Sequence, residues 1–334
     1  MDSHRLRIAS RLALAGALAL LVSSDAHAVR RTEDALALVP SGAATVGVFR
    51  WNELRTSPLG AKIFSAMDQV STDGDAQRFL QETGLTPQED IDTVIVAMSP
   101  GGNPGSGDDD ALVMFEGRFD VNKISTALVS RGALAVKTPA GDAYYRLPAK
   151  GSGSEGAVAL VNRGLMIAGT EPAVVAALAR KESGGAGGLT SGEGLGKNLS
   201  RVDTSASAWA LVDMSRFSRG GDDADRSEPS QAVVGAMKSV TFVALQAKVR
   251  GDDVEFAATG LTSDSEKRDL LQDSLRGVLA MWRMAVQEKS PELVSVIRKF
   301  QVETDSEGVS IRGTLPGSFL RSLAAAHQSA RNEK

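Results

Sequence analysis

The chain has 334 residues, no cysteine, and 37 basic against 41 acidic residues, which give a formal net charge of −4. Without cysteine it can form neither disulfides nor thiolate metal sites, and its slightly acidic balance offers no basic surface for nucleic acid. Its length leaves room for two domains, which buried apolar side chains must hold together.

The first 28 residues have the pattern of a cleavable secretory signal peptide. Basic residues precede an apolar run at residues 12–22, and Ala26 and Ala28 are the small residues that signal peptidase requires before its cut. The apolar run is too short to span a membrane, which takes about 20 residues. The sequence therefore predicts cleavage after Ala28, no stable membrane insertion afterwards, and a mature protein in the periplasm or outside the cell.

Residues 35–182 predict a first domain of mixed strands and helices. Alternating apolar and polar residues mark its strands, and cap residues mark its helix starts, among them a capping-box pattern from Thr86 to Glu89. The expected elements, in chain order, are a strand at 45–51, helices at 58–70 and 75–83, a helical turn from 86, strands at 93–98 and 112–117, a helix at 120–130, strands at 143–147, 157–161 and 165–169, and a helix at 172–181.

A glycine-rich stretch at residues 183–199 predicts a flexible linker, and residues 200–326 predict a second domain, followed by a flexible tail at 327–334. Residues 246–249 alternate polar and apolar, which fits a sheet with one solvent-facing side. The expected elements are a strand at 208–213, a hairpin of strands at 240–249 and 254–261, helices at 263–288 and from 290, strands at 300–304 and 309–313, and a helix at 316–326.

The two domains share a sequence motif. Gly, Ile, Gly, Thr and Pro recur at the same spacing in residues 164–172 and 308–316, 144 positions apart, and a fixed period indicates duplication. In both motifs, Thr170 and Thr314 are expected to begin a helix with proline in its first turn. The predicted fold is therefore α+β: two tandem copies of a β-α-β-β-α-β-β-α unit, with mainly antiparallel sheets and helices packed on one face.

The segment Pro40-Ser-Gly-Ala-Ala-Thr-Val-Gly47, continued by Leu54-Arg-Thr-Ser-Pro-Leu-Gly60, resembles a loose group of exported bacterial proteins of uncharacterised function. These proteins share a Leu-x-x-Ser-Pro-Leu-Gly helix entry. The resemblance covers about 25 residues by this motif pattern. It implies an exported α+β protein and brings no catalytic residue with it.

Residues typical of catalytic and cofactor sites are scarce. The mature chain keeps one histidine, His327, near its end, and it has no G-x-S-x-G nucleophile motif. The glycine run at 183–197 fits neither a P-loop nor a dinucleotide fingerprint. The aspartate runs at 108–110 and 222–223 do not fit an EF-hand loop. The sequence predicts no catalytic residue, no cofactor and no metal site.

The three tryptophans have two interpretations. Trp51, Trp209 and Trp282 could anchor the two hydrophobic cores, as aromatic residues commonly do. Alternatively, they could line a groove between the two copies that binds a peptide or lipid. The sequence leaves both interpretations open.

Two functions follow from these features. The first is a non-enzymatic exported envelope protein that acts as a binding or scaffold module for an envelope protein, a peptide or a lipid. The second is a periplasmic or secreted hydrolase that uses carboxylates or a Ser–Lys pair. A polar pocket with converging carboxylates or lysine and shifted pKa values would favour the hydrolase. An apolar cleft or an exposed sheet edge would favour binding.

Overall fold

The computed structural model of the chain describes residues 32–55, 57, 60, 74–99, 110–148, 155–216, 239–262, 264–287 and 291–319. The chain divides into two compact units, Met1–Ser200 and Arg201–Lys334. Some predictions fall outside the described residues: the signal peptide, most of the helix at 58–70, the acidic residues at 108–109 and 222–223, and the tail with His327.

The strands of the first unit form one antiparallel sheet. They are β1 (Thr45–Arg50), β2 (Ile91–Ser99), β3 (Asp110–Gly117), β4 (Leu134–Lys137), β5 (Ala143–Arg146), β6 (Gly156–Asn162) and β7 (Leu165–Thr170). Hydrogen bonds connect them in the order β1-β2-β3-β7-β6-β5-β4, and every neighbouring pair is antiparallel. The α+β class of this unit agrees with the sequence prediction.

The described helices of the first unit are α1 (Trp51–Arg55), α2 (Gly74–Thr83), α3 (Pro87–Asp90), α4 (Val121–Ser130) and α5 (Glu171–Glu182). Asp120 caps α4 by accepting a hydrogen bond from the Lys123 amide at 3.1 Å. The capping box expected at Thr86 does not form, because the Thr86 side chain makes no cap bond. Instead the Asp90 carboxylate accepts a hydrogen bond from the Thr86 amide at 2.8 Å. Asp90 thus takes the role that the capping-box pattern assigns to Glu89.

One face of the first sheet packs against α4. Successive residues of a strand point to opposite faces, so Phe115, Met166 and Val158, on adjacent strands, share this face. They form a hydrophobic cluster with Ile124 and Leu128 of α4.

The opposite face of the first sheet is buried as well. Ile95, Met114 and Ile167 are fully buried, and they lie opposite one another on β2, β3 and β7. Helix α5 contacts β3, β6 and β7, and its buried Val174 and Leu178 take no part in the cluster around α4. The helices of this unit therefore cover two faces of the sheet, where the sequence predicts one.

Residues 183–199, which are expected to be a flexible linker, have a defined structure. They form two 3-10 helices, Leu189–Ser191 and Gly194–Arg201. The amides of Leu189 and Leu195 donate to the carbonyls of Val39 and Ser41 at 2.8 and 2.9 Å, and both leucines are buried. A Cβ atom at Gly194 would overlap the carbonyl oxygen of Ser41. The glycines thus allow two backbones to approach closely, which composition alone does not distinguish from flexibility.

The described strands of the second unit also form an antiparallel sheet. They are β8 (Ala208–Asp213), β9 (Phe242–Arg250), β10 (Asp253–Leu261), β11 (Gln301–Thr304) and β12 (Gly308–Pro316). Their order is β8-β9-β10-β12-β11. The predicted hairpin of β9 and β10 is present, and Gly251 turns it with a φ of +64°. The helix expected to begin at Thr314 does not start there, since β12 continues to Pro316.

Two helices cover one face of the second sheet. They are α6 (Ser265–Gln287) and α7 (Pro291–Ile297). Leu271 of α6 packs with Val309, and Ile297 of α7 packs with residues that include Phe256 and Ile311. The described helices that pack on this sheet lie on one side, as expected from the sequence, and the other side carries the polar residues described below.

Among the described residues, no helix is both long enough and apolar enough to cross a membrane.

Candidate functional site

The structure does not bring the tryptophans of the second unit together. Trp209 is 2% exposed on β8, where it pairs with Gln246 and so shares the side of the sheet opposite Phe256. Trp282 lies on α6, 36% exposed, with its ring 6.4 Å from that of Phe300 in the core. The two indoles therefore lie on opposite sides of the second sheet and cannot line one groove.

Trp51 of the first unit takes a core position. Its ring meets Phe49 edge to face, with centroids 5.2 Å apart and an interplanar angle of 80°. It also packs against the hydrophobic cluster of α4. For this residue the structure agrees with the interpretation of tryptophan as a core anchor.

A polar groove lies on the second sheet. Its volume is about 480 Å³, within the range of roughly 300–1,000 Å³ of small-molecule sites. Gln246, Ala257, Arg312 and Gln301 lie opposite one another on β9, β10, β12 and β11. These four side chains line the groove.

A second row extends the groove. Lys248, Glu255 and Thr314 face one another across β9, β10 and β12 and also line the groove, together with Lys299 just before β11. Because these rows alternate with core residues such as Phe256 along each strand, their side chains point away from α6 and α7. The small side chain of Ala257 leaves a depression between the longer side chains of Gln246 and Arg312.

One end of the groove is organised by Asp203. Its carboxylate pairs with the Lys248 ammonium, and its amide donates to Gln246 Oε1 at 2.7 Å. Burial raises the pKa of Asp203, but hydrogen bonds from Lys248 and Ser205 outweigh it and lower the pKa to about 2. Asp203 is therefore ionised at neutral pH, and it holds Lys248 and Gln246 in fixed positions.

The other end of the groove carries exposed cations. The Arg312 side chain is 61% exposed, and its guanidinium lies 3.7 Å from the Glu303 carboxylate at the rim. Lys299 is exposed, and the described part of the chain offers it no ion pair. Glu255, the acidic lining residue, lies 3.6 Å from Arg250 across the hairpin. The positive charges of Arg312 and Lys299 therefore lie near Gln301 with little compensation from described residues, although the chain as a whole has a net negative charge.

A serine and an aspartate lie beside the groove, in contact with the groove residue Lys248 and with each other, but these three residues do not form a catalytic site. Ser205 Oγ donates to Asp203 at 2.6 Å, and Lys248 also donates to Asp203. A Ser–Lys hydrolase needs a neutral lysine that accepts the serine proton. Here both groups donate to one carboxylate, so the arrangement provides no base for Ser205.

A carboxylate cluster in the first unit is likewise structural. Arg146 donates to both oxygens of Glu171 at 2.9 Å, and Tyr144 donates to the same carboxylate at 2.7 Å. Hydrogen bonds from Arg146 and then Tyr144 lower the pKa of Glu171. A general acid needs a raised pKa, so this carboxylate is suited to joining β5 to α5 and not to proton transfer.

The first unit also holds a buried polar cluster. Arg50, Thr93 and Glu116 lie opposite one another on β1, β2 and β3, and all are at most 4% exposed. The Thr32 hydroxyl donates to Glu116 at 2.9 Å and accepts from Arg50 at 3.5 Å. Glu53 is buried too. This cluster fastens the N-terminal segment to the sheet.

The described residues contain no group of three His, Asp or Glu side chains able to hold a metal ion.

The sequence indicates that one side of the second sheet is polar, but it does not predict the groove on that side. The alternation at 246–249 marks polar positions on β9, yet the partners on β12 lie more than 60 residues further along the chain. Only the register of the sheet brings Gln246 and Arg312 to either side of Ala257.

No protein-family model and no curated protein matches this sequence. Three crystal forms of the protein TP0453 are similar in structure. Form III has a TM-score of 0.49 at 11% identity, form I 0.45 at 11%, and form IV 0.44 at 10%. Each alignment covers 87% of this chain, and 97%, 97% and 95% of the TP0453 chain respectively. At such identities no residue role is transferred between the two proteins.

Proposed function

We propose that this chain is an exported binding protein whose ligand occupies the groove of the second unit. The observation that carries the proposal is the groove itself, a volume of about 480 Å³ lined by polar side chains. It lies on the side of the sheet that points away from α6 and α7. A row of mixed cations, amides and a hydroxyl suits recognition of a polar ligand, and it supplies no activated nucleophile.

The export part of the proposal rests on the sequence. We expect the protein recovered from the periplasmic fraction or the culture medium to begin at Val29, because Ala26 and Ala28 precede that position. N-terminal sequencing of the recovered protein measures this. Recovery of the chain with its original Met1 from that fraction would contradict cleavage.

We further propose that the two units are copies of one ancestral unit. The strand orders β1-β2-β3-β7-β6 and β8-β9-β10-β12-β11 correspond. Leu112 faces Gly169 in the first sheet, and Phe256 faces Gly313 in the second. Leu112 and Phe256 are 144 positions apart, as are Gly169 and Gly313. The same 144 positions separate the two sequence motifs. An experimental structure with a one-residue difference between these registers would remove this support.

The proposed correspondence makes the groove distinctive. Met166 and Ala168 pack against the α4 cluster of the first unit, and a shift of 144 positions relates them to Ser310 and Arg312. The corresponding face is thus apolar and covered in one unit, and polar with a groove in the other. Because an antiparallel sheet can leave one face open to solvent, the polar residues that line the groove of the second unit are accessible to a ligand.

Covalent capture tests where the ligand binds. A photo-crosslinking amino acid is placed at Ala257 in the full-length precursor, expressed in the native cell and irradiated. We expect covalent adducts on the mature protein, because this side chain lies in the depression of the groove. The matched control carries the same amino acid at Ala280, an exposed position on α6. Adducts are measured by mass spectrometry of the purified protein.

If the same adducts form at positions 257 and 280, they result from random collision with exposed surface, and they would contradict a ligand site in the groove. Absence of adducts at 257 would refute the groove as the ligand site, provided that the variant melts like the wild-type protein.

A further inference from the structure

The two ends of the groove differ in how their charges are compensated. At the first end, Lys248 is paired with the ionised Asp203. At the second end, Arg312 lies 3.7 Å from Glu303, and Lys299 has no ion pair with a described residue. Positive charge is therefore neutralised at the first end and available at the second.

Hydrogen-bond donors of two further kinds line the groove beside these cations. Gln301 lies opposite Arg312 on β11 and supplies an amide, while Thr314, two positions after Arg312, supplies a hydroxyl on the same face. Guanidinium, ammonium, amide and hydroxyl groups together match the lone pairs of an oxyanion, and charged donors form the stronger hydrogen bonds.

On this basis we propose that the groove binds a small polar ligand through its carboxylate or phosphate group, held between Arg312 and Lys299. The inference deepens the proposed function and rests on it. The planar guanidinium of Arg312 can donate two parallel hydrogen bonds to either group, whereas Lys299 acts as a point charge. The rest of the ligand lies over Ala257, toward Gln246 and Lys248.

The volume of the groove favours a small ligand. A space of about 480 Å³ is the size of sites that bind molecules of metabolite size. The polar lining also argues against a lipid chain, which would remove water from Gln301 and Thr314 without offering their side chains a hydrogen-bond partner.

Titration of the mature protein with three probes tests the inference. The probes are inorganic phosphate, citrate as a carboxylate source, and glycerol as an uncharged polyol. We expect phosphate or citrate to bind and glycerol not to bind, and the tighter anion identifies the preferred oxyanion. Binding is measured by isothermal titration calorimetry, and the rise in melting temperature that a bound ligand causes gives a second readout.

Charge-removing variants locate the site. We expect Arg312→Gln and Lys299→Gln each to weaken anion binding by about tenfold, as loss of one charged hydrogen bond predicts. Arg312→Lys should weaken it less, because the charge remains. The matched controls are Arg276→Gln and Lys267→Gln, at exposed positions of α6, which should bind like the wild-type protein.

Three results would overturn the inference: no binding of either anion, equal binding of glycerol, or Arg312→Gln and Lys299→Gln variants that bind like the controls. Covalent capture at position 257 separates the two proposals. If crosslinking at position 257 succeeds and neither anion binds, the groove remains the proposed ligand site and only the inference of carboxylate or phosphate recognition is wrong. If capture fails, the proposed function itself is wrong.

Discussion

Replacement of Arg50 by methionine is expected to lower the free energy of unfolding by about 3 kcal/mol or more. Arg50 is 3% exposed and Glu116 is 4% exposed, and the Thr32 hydroxyl hydrogen-bonds to both. Methionine fills much of the same space but removes the positive charge, so the cluster would keep its buried carboxylates and lose the guanidinium that shares the Thr32 hydroxyl with Glu116. Urea unfolding followed by circular dichroism measures the change.

A double-mutant cycle separates the charge from the packing. Arg50→Met with Glu116→Met removes both charges, and such paired replacements are often neutral because the desolvation cost disappears as well. We therefore expect the double variant to recover much of the stability that the single variant loses. Arg250→Met, at an exposed position of β9, serves as the control and should change the stability little. Additive losses in the cycle would show that the two side chains are not coupled.

The fold class and most strands follow from the sequence because their signals are local. The β9–β10 hairpin has alternating side chains on both strands and a glycine at its turn, so its position depends on neighbouring residues alone. The motif ends were predicted less well. Thr170 does begin α5, but β12 runs through Thr314, because pairing with β10 continues to Pro316.

The distribution of helices over the sheet faces could not be predicted, because it depends on packing between distant segments. Apolar periodicity identifies α4 and α6 as amphipathic but does not say which face of a sheet each one covers. Likewise Trp209 and Trp282 are equal candidates in the sequence, and only the register of β8 with β9 assigns them to opposite sides. The groove likewise depends on distant segments. Two strand pairings, β9 with β10 and β10 with β12, place Gln246 and Arg312 on either side of Ala257.

The glycine-rich segment shows how composition misleads when geometry is unknown. Its glycines are expected to confer flexibility, yet five of them have positive φ angles, and Gly188 and Gly194 lie against backbone atoms of residues 37–41. Close approach of two backbones and free motion both select glycine. A substitution that adds a single methyl group distinguishes them.

Gly194→Ala is expected to lower the free energy of unfolding by about 3 kcal/mol, the sum of backbone strain and overpacking. Gly194 has a φ of +51°, and a Cβ there would overlap the carbonyl oxygen of Ser41. That carbonyl accepts from the Leu195 amide at 2.9 Å, so the backbones cannot separate without losing the hydrogen bond. Urea unfolding of the variant measures the loss.

Gly192→Ala is the matched control for this contact. Gly192 has a φ of +76°, with nothing within 4 Å of the position its Cβ would take. Gly192→Ala is therefore expected to cost about 1 kcal/mol from left-handed backbone strain, without a steric overlap between its Cβ and another atom. The difference between the two variants measures how tightly the glycine-rich segment packs on residues 37–41. Equal and small losses would mean that the segment moves freely, as the sequence predicted; a larger loss at Gly194 would mean that it is part of the folded first unit.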